Sequence, residues 1–176
     1  YLGAIAEEVI AHGGMVDKYI GDAVMAVFGV PIPSQTEAEW RRDACQAVTA
    51  AIEMGQKLDR LSREWVAQGL PETVTGIGIN SGWAIAGSLG SAERLEYSAI
   101  GDAVNVAARL ESLNKEVDGG PLHILISEDT YRLLDDRFQV ELAGHCRLKG
   151  RTTETVVYRV LGYRERSESG GNSVLP

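Results

Sequence analysis

Cysteine is nearly missing from this chain, with two in 176 residues. Cys45 and Cys146 lie far apart and form no CxxC pair. They read as small buried apolar side chains, not as a disulfide or a metal site. Histidine is scarce too. His12, His123 and His145 lack the spacing of a metal or protease motif such as HExxH, and read as structural or surface residues. No apolar run approaches the roughly 20 residues of a membrane span, and no signal-peptide pattern is present. Positive charge is in deficit, with 17 Lys and Arg against 25 Asp and Glu and a net charge of −8. That balance argues against non-specific binding of nucleic acid or of an anionic membrane surface. It leaves room for a nucleotide, because a few local cations outweigh a global field at close range. No Walker GxxxxGK[ST] occurs. Gly76-Ile77-Gly78 precedes no suitable helix, so a Rossmann fingerprint is weak.

What is present is an ordinary globular composition, 44% apolar and 24% charged, enough for one domain with a sizeable core. The opening YLGAIAEEVIAHG reads as mid-helix with no N-cap before it. The expectation is a chain that begins inside an element, with any targeting, membrane or sensory segment upstream. From Arg164 onward RERSESGGNSVLP has no core pattern. This predicts a domain over residues 1–163 and a flexible tail or linker over 164–176.

Hydrophobic periodicity predicts the elements between. Residues 2–12 read as a helix end closed by Gly13-Gly14. Residues 15–20 and 23–28 read as a hairpin around Gly21-Asp22. A long helix over about 38–68 carries Trp40, Ala44, Val48, Ala51, Met54, Leu58, Leu61 and Trp65 at spacings of three and four. Residues 73–80 and 83–88 read as strands around Ser81-Gly82, and 95–100 as another. A helix over 102–114 starts at Asp102 as N-cap. A strand over 122–126 and a short helix capped by Ser127 follow. Strands over 138–142, 146–148 and 155–160 complete the set. The mixture predicts an α+β sandwich, with helices on a mostly antiparallel sheet.

Chemistry concentrates in two stretches, GGMVDKYIGDAVMAVFG at residues 13–29 and RLEYSAIGDAVNVAARLE at 94–111. Asp22 either suits a tight turn or offers a carboxylate to Mg²⁺ from a rigid hairpin tip. Lys18, in an otherwise apolar strand, is either a solvated edge residue or a binding cation. Asn105 and Arg109 stand four apart on one helix face among small alanines. Arg109 either pairs with Glu111 or presents its planar fork to phosphate. Lys149, in Leu148-Lys149-Gly150-Arg151, is a solvated turn cation or an anion contact.

The order and context of these motifs resemble the catalytic domain of the class III adenylyl/guanylyl cyclases over roughly residues 1–161. The run from Arg94 to Glu111 is the most specific part. The resemblance implies an α+β fold with a ferredoxin-like core and a head-to-tail homodimer with active sites at the interface. It implies conversion of ATP to 3′,5′-cyclic AMP and pyrophosphate, as a cytoplasmic signalling lyase. It further implies two Mg²⁺ or Mn²⁺ ions per site, with Asp22 as one metal ligand. Lys18 and Ser98 match the purine-selecting positions, where Lys goes with adenine, and Glu and Cys with guanine. Asn105 matches the residue that orients the ribose. Arg109 matches the one that stabilises phosphate charge in the transition state, and Lys149 the one that grips the terminal phosphates. Ser98 is similar to a bacterial subgroup with Thr or Ser there. The family's other metal aspartate and its first strand have no counterpart in these residues, so this segment by itself is expected to be inactive or nearly so. The rival readings are a guanylyl cyclase and a non-catalytic, cyclase-like regulatory or dimerisation module.

Overall fold

The computed structural model describes residues 1–91, 94–146 and 154–165. Lys149 and residues 166–176 of the expected tail lie outside the described residues. The chain opens with helix α1 (Leu2–Ala11) and a hairpin of β1 (Met15–Ile20) and β2 (Ala23–Val27). The hairpin turns at Gly21, whose φ of 65° is the left-handed conformation that glycine adopts without a steric penalty.

Helix α2 (Glu37–Ala67) starts with a reciprocal cap. The Thr36 hydroxyl accepts from the Glu39 N–H, and the Glu39 carboxylate accepts from the Thr36 N–H. Donation from the Gln35 and Thr36 backbone holds the Glu39 carboxyl below the usual carboxylate range. The middle of the predicted stripe packs, with Ala44, Val48, Ala51, Met54 and Leu58 buried, whereas Trp40 at its start is left 38% exposed. Lys57 ties α2 to α1 through Glu7 and Glu8 at 2.7 and 3.0 Å, and these contacts raise its pKa.

The remaining elements are β3 (Ile77–Ile79), β4 (Ile85–Ser91), β5 (Arg94–Ile100), α3 (Asp102–Leu113), β6 (Ile124–Ser127), α4 (Glu128–Tyr131), β7 (Phe138–Cys146) and β8 (Thr155–Tyr163). Among the described residues the strands form three hydrogen-bonded groups: β1-β2, β4-β5, and a four-stranded sheet in the order β3-β6-β8-β7. All pairings are antiparallel except β3 with β6, which is parallel.

Strand β6 organises the core because both of its faces are covered. Ile124 and Ile126 face one way, with Cys45, Val48 and Ile52 of α2 and with Phe138 and Val160. Leu125 faces the other way, with Val157 and with Val106 and Leu110 of α3. A third cluster joins Ile5 and Val9 of α1, Met54 and Leu58 of α2, and the inner side of the first hairpin. Both cysteines are free, and burial is the main cause that raises the Cys146 thiol pKa.

Several expected boundaries are corrected. The strand expected over 73–80 shrinks to Ile77–Ile79. The Thr73 N–H donates to the Ser62 hydroxyl at 2.9 Å, so it has no need of a ladder partner. Asp102 is not the N-cap of α3. Gly101 takes that place, and Asp102 contributes its charge to the first turn. The strand expected over 138–142 runs on to Cys146 as β7, which absorbs Ala143 as an irregularity between Leu142 and Gly144, and residues 147–148 of the next expected strand lie outside the described residues. The short helix expected after Ser127 is present over four residues, with the Ser127 hydroxyl accepting from the Thr130 N–H as its cap.

Candidate active site

Backbone geometry decides where each candidate side chain stands. Lys18 is half-buried on β1, and Asp22 is exposed in the turn at the hairpin tip. Ser98 is buried on β5, 3% exposed, and pairs across the ladder with Gly87 of β4. A Cβ at Gly87 would meet nothing within 4 Å, so there is free space on the ladder position opposite Ser98.

Lys18 and Ser98 come from distant parts of the chain and meet through a residue that sequence reasoning passed over. The Ser98 hydroxyl donates to Oδ2 of Asp17 at 2.9 Å. The same oxygen lies 3.6 Å from Lys18 Nζ. The Asp17 side chain has no exposed surface, while that of Lys18 is 41% exposed. An ammonium that only donates therefore stands beside a hydroxyl whose hydrogen is already used. The only sequence signal for Asp17 was a carboxylate next to the lysine in an apolar strand. Strict alternation along β1 would place it on the face opposite Lys18.

Asn105 and Arg109 share one flank of α3. Val106 and Leu110 anchor the helix to the sheet, Asn105 is exposed and Arg109 half-buried. Glycine sets the depth of α3. A Cβ on Gly78 would fall 2.2 Å from the Glu111 backbone nitrogen and 2.3 Å from the Ala107 carbonyl oxygen. Asn80 of the adjoining loop donates to the Ala103 carbonyl at 3.1 Å and fixes the start of the helix. The carboxylate of Glu111, the sequence's alternative partner for Arg109, accepts from Ser112 at 3.1 Å.

Among the described residues, three ligand-type side chains converge at Glu8, His12 and Glu53, and Asp22 is outside that group. Asp22 offers one hard oxygen donor in an open position. That donor suits a cation such as Mg²⁺, which takes one or two carboxylates and completes its shell with water and phosphate.

The structure brings Lys18 and Ser98 together through Asp17 on two strands, sets Asn105 and Arg109 on one flank of α3, and leaves Asp22 at a hairpin tip. The model of the adenylate and guanylate cyclase catalytic domain matches residues 10–162, and the chain belongs to that family. Membership implies metal-dependent catalysis. The chain is 35% identical over 162 residues to adenylate cyclase 1 of Rhizobium meliloti, covering 92% of this chain and 23% of that protein. Among solved structures, the adenylyl cyclase CyaB from P. aeruginosa superposes with a TM-score of 0.79 at 33% identity, over 97% of this chain and 82% of that one. The guanylyl cyclase Cya2 superposes with a TM-score of 0.78 at 30% identity, over 96% and 80%. The chain spans between 8% and 30% of the lengths of the first three curated relatives it matches. Among the described residues no helix is long and apolar enough to cross a membrane.

Proposed function

We propose that residues 1–163 belong to an adenylyl cyclase catalytic domain that, in the full-length protein, converts ATP to 3′,5′-cyclic AMP and pyrophosphate. The observation that carries this reading is the pairing of Lys18 with Ser98 through Asp17. Lys18 donates to N1 of adenine, and it would oppose the N1–H of guanine. The Ser98 hydroxyl accepts from the 6-amino group. Similarity to both adenylyl and guanylyl cyclase structures makes this pair the deciding feature.

Asn105 orients the ribose so that its 3′-oxygen faces the α-phosphorus. The 3′-hydroxyl loses its proton, the O3′–Pα bond forms, and the bond from Pα to the departing pyrophosphate breaks. Arg109 stabilises the charge that gathers on the α-phosphate oxygens, and Lys149 holds the terminal phosphates. Two divalent cations, Mg²⁺ or Mn²⁺, held in part by Asp22, would neutralise the phosphates and lower the pKa of the 3′-hydroxyl.

The site is completed by a second copy in a head-to-tail homodimer. Support comes from the apolar exposure of the β4-β5 ladder, where Ile85 and Ile100 pair and are 70% and 48% exposed, with Trp83 beside them. The domain works on the cytoplasmic side, where ATP is available, under control of a sensory segment elsewhere in the protein.

The test is turnover by the full-length protein with Mg²⁺ or Mn²⁺. Cyclic AMP and pyrophosphate should form from ATP in preference to cyclic GMP from GTP. Equal use of the two nucleotides would sink the adenine assignment. Nucleotide binding without any cyclic product would favour the regulatory module instead.

A further inference from the structure

We propose that Asp17 is a positioning residue for base selection: its buried carboxylate captures the Ser98 hydrogen and leaves that hydroxyl able only to accept from the nucleotide. The proposal rests on the adenine reading of Lys18 and Ser98 and adds a third residue to it.

Strand alternation would send Asp17 and Lys18 to opposite faces of β1. A bulge prevents this. Val16 pairs with Ala26 and Lys18 with Met25, and Asp17 is left without a cross-strand partner. Bulges of this kind re-aim a side chain. Here both residues reach one side, with Asp17 Oδ2 at 2.9 Å from Ser98 Oγ and 3.6 Å from Lys18 Nζ.

The cost of this arrangement is visible. The Asp17 side chain is fully buried, and among the described residues its Oδ1 has no hydrogen-bond partner. A carboxylate held this way is expensive to desolvate, and an apolar residue would pack there more cheaply. Stability therefore does not explain the aspartate, and the groups it touches do.

A serine hydroxyl is ambivalent, with one donor hydrogen and two acceptor lone pairs. Alone, Ser98 could turn its hydrogen toward the 6-oxo group of guanine or its lone pairs toward the 6-amino group of adenine. A carboxylate accepts only. With its hydrogen committed to Asp17, Ser98 presents lone pairs alone. Lys18, held by the same carboxylate, presents hydrogens alone. Acceptor beside donor complements the 6-amino group and N1 of adenine. It opposes the 6-oxo group and N1–H of guanine or hypoxanthine.

The test is competition binding of ATP and inosine triphosphate to the full-length protein, reading the ratio of their affinities. Inosine triphosphate carries the 6-oxo group and N1–H without the 2-amino group of guanine. Asp17→Ala should lower the ATP preference by about 5- to 50-fold, the scale of one matched polar contact. Asp17→Val, which fills the space without an acceptor, should do the same and serves if the alanine variant does not fold. Asp17→Asn keeps an acceptor oxygen and should retain most of the preference. Adding Asp17→Ala to Ser98→Ala should lower the ratio by less than the product of the two single effects, because both act on one hydroxyl and only the hold on Lys18 is additional. A purely structural role would weaken both nucleotides alike. An unchanged ratio in Asp17→Ala or Asp17→Val, or effects that multiply in the double variant, would overturn the proposal. If the unaltered protein does not distinguish the two nucleotides, the adenine reading falls and this proposal with it. If it does distinguish them but the Asp17 variants do so equally well, only this proposal falls.

Discussion

In the proposed reading, Lys18 and Ser98 make base choice a matter of hydrogen-bond direction. Their exchange for Glu and Cys reverses the direction at N1 and removes the hydroxyl acceptor. Lys18→Glu with Ser98→Cys should therefore erode the preference for ATP over GTP. Each lost contact is worth about 1–3 kcal/mol, roughly 5- to 150-fold in the ratio of kcat/KM for the two substrates. Steady-state rates on both nucleotides check this, and an unchanged ratio would remove these residues from base recognition. The two positions stand in different surroundings. Ser98 is buried and already bonded, whereas Lys18 keeps 41% of its side chain exposed. A substitution at Ser98 must therefore also find a way to satisfy Asp17.

Helix α3 carries Asn105 and Arg109, and its distance from the sheet depends on β3. Gly78 lies under the Ala107 carbonyl and the Glu111 nitrogen, where a methyl group would sit at 2.3 and 2.2 Å. Both neighbours are backbone, so neither can rotate away. Gly78→Ala must push α3 off the sheet or distort β3. Overpacking of this kind costs about 1–3 kcal/mol, occasionally more. A fall in melting temperature accompanied by loss of catalytic rate is expected, because Asn105 and Arg109 ride on the displaced helix. A variant with wild-type melting temperature and rate would show that α3 does not need this close approach. This glycine has a packing role, which is the outcome for a Gly-Ile-Gly sequence that precedes no helix. The opening of α2 shows the opposite situation. Its Thr36 and Glu39 cap is local, complete within four residues, and independent of the rest of the fold.

The proposed dimer divides the work between two chains. Asp22 belongs to the metal half of a site, and Lys18, Ser98, Asn105, Arg109 and Lys149 to the base and phosphate half. In the full-length protein, a homodimer of Asp22→Ala should be nearly inactive. One of Arg109→Ala should be slowed on the order of 10²–10³, the effect of losing one transition-state charge contact. Mixing the two should restore activity, since a mixed dimer assembles one site with both halves intact. The recovery should reach at most about a quarter of wild-type turnover, because half the dimers are mixed and each has one good site. Mixed dimers captured by a tag, with activity no higher than that of the separate mutants, would defeat the shared-site arrangement.

Much of this was legible in residue order alone. The α2 stripe, the Gly21-Asp22 hairpin, the Ser127 cap and the Asn105/Arg109 spacing are short-range patterns. Turn chemistry and a period of 3.6 act between neighbours in the chain, so a one-dimensional reading can find them. Lys18, Asp22 and Ser98 were likewise named from their motifs. The contact that joins Lys18 to Ser98 was not legible, because it depends on a bulge that breaks the alternation of β1 and on β5 lying beside β1. The parallel pairing of β3 with β6 and the shortening of β3 were hidden for a similar reason. The first joins residues far apart in the chain, and the second goes with Ser62 of α2 taking the Thr73 N–H. Local pattern determined which residues are candidates for the chemistry. Long-range packing determined that a buried aspartate stands between them, since only the folded chain brings residues 17 and 98 within hydrogen-bond reach.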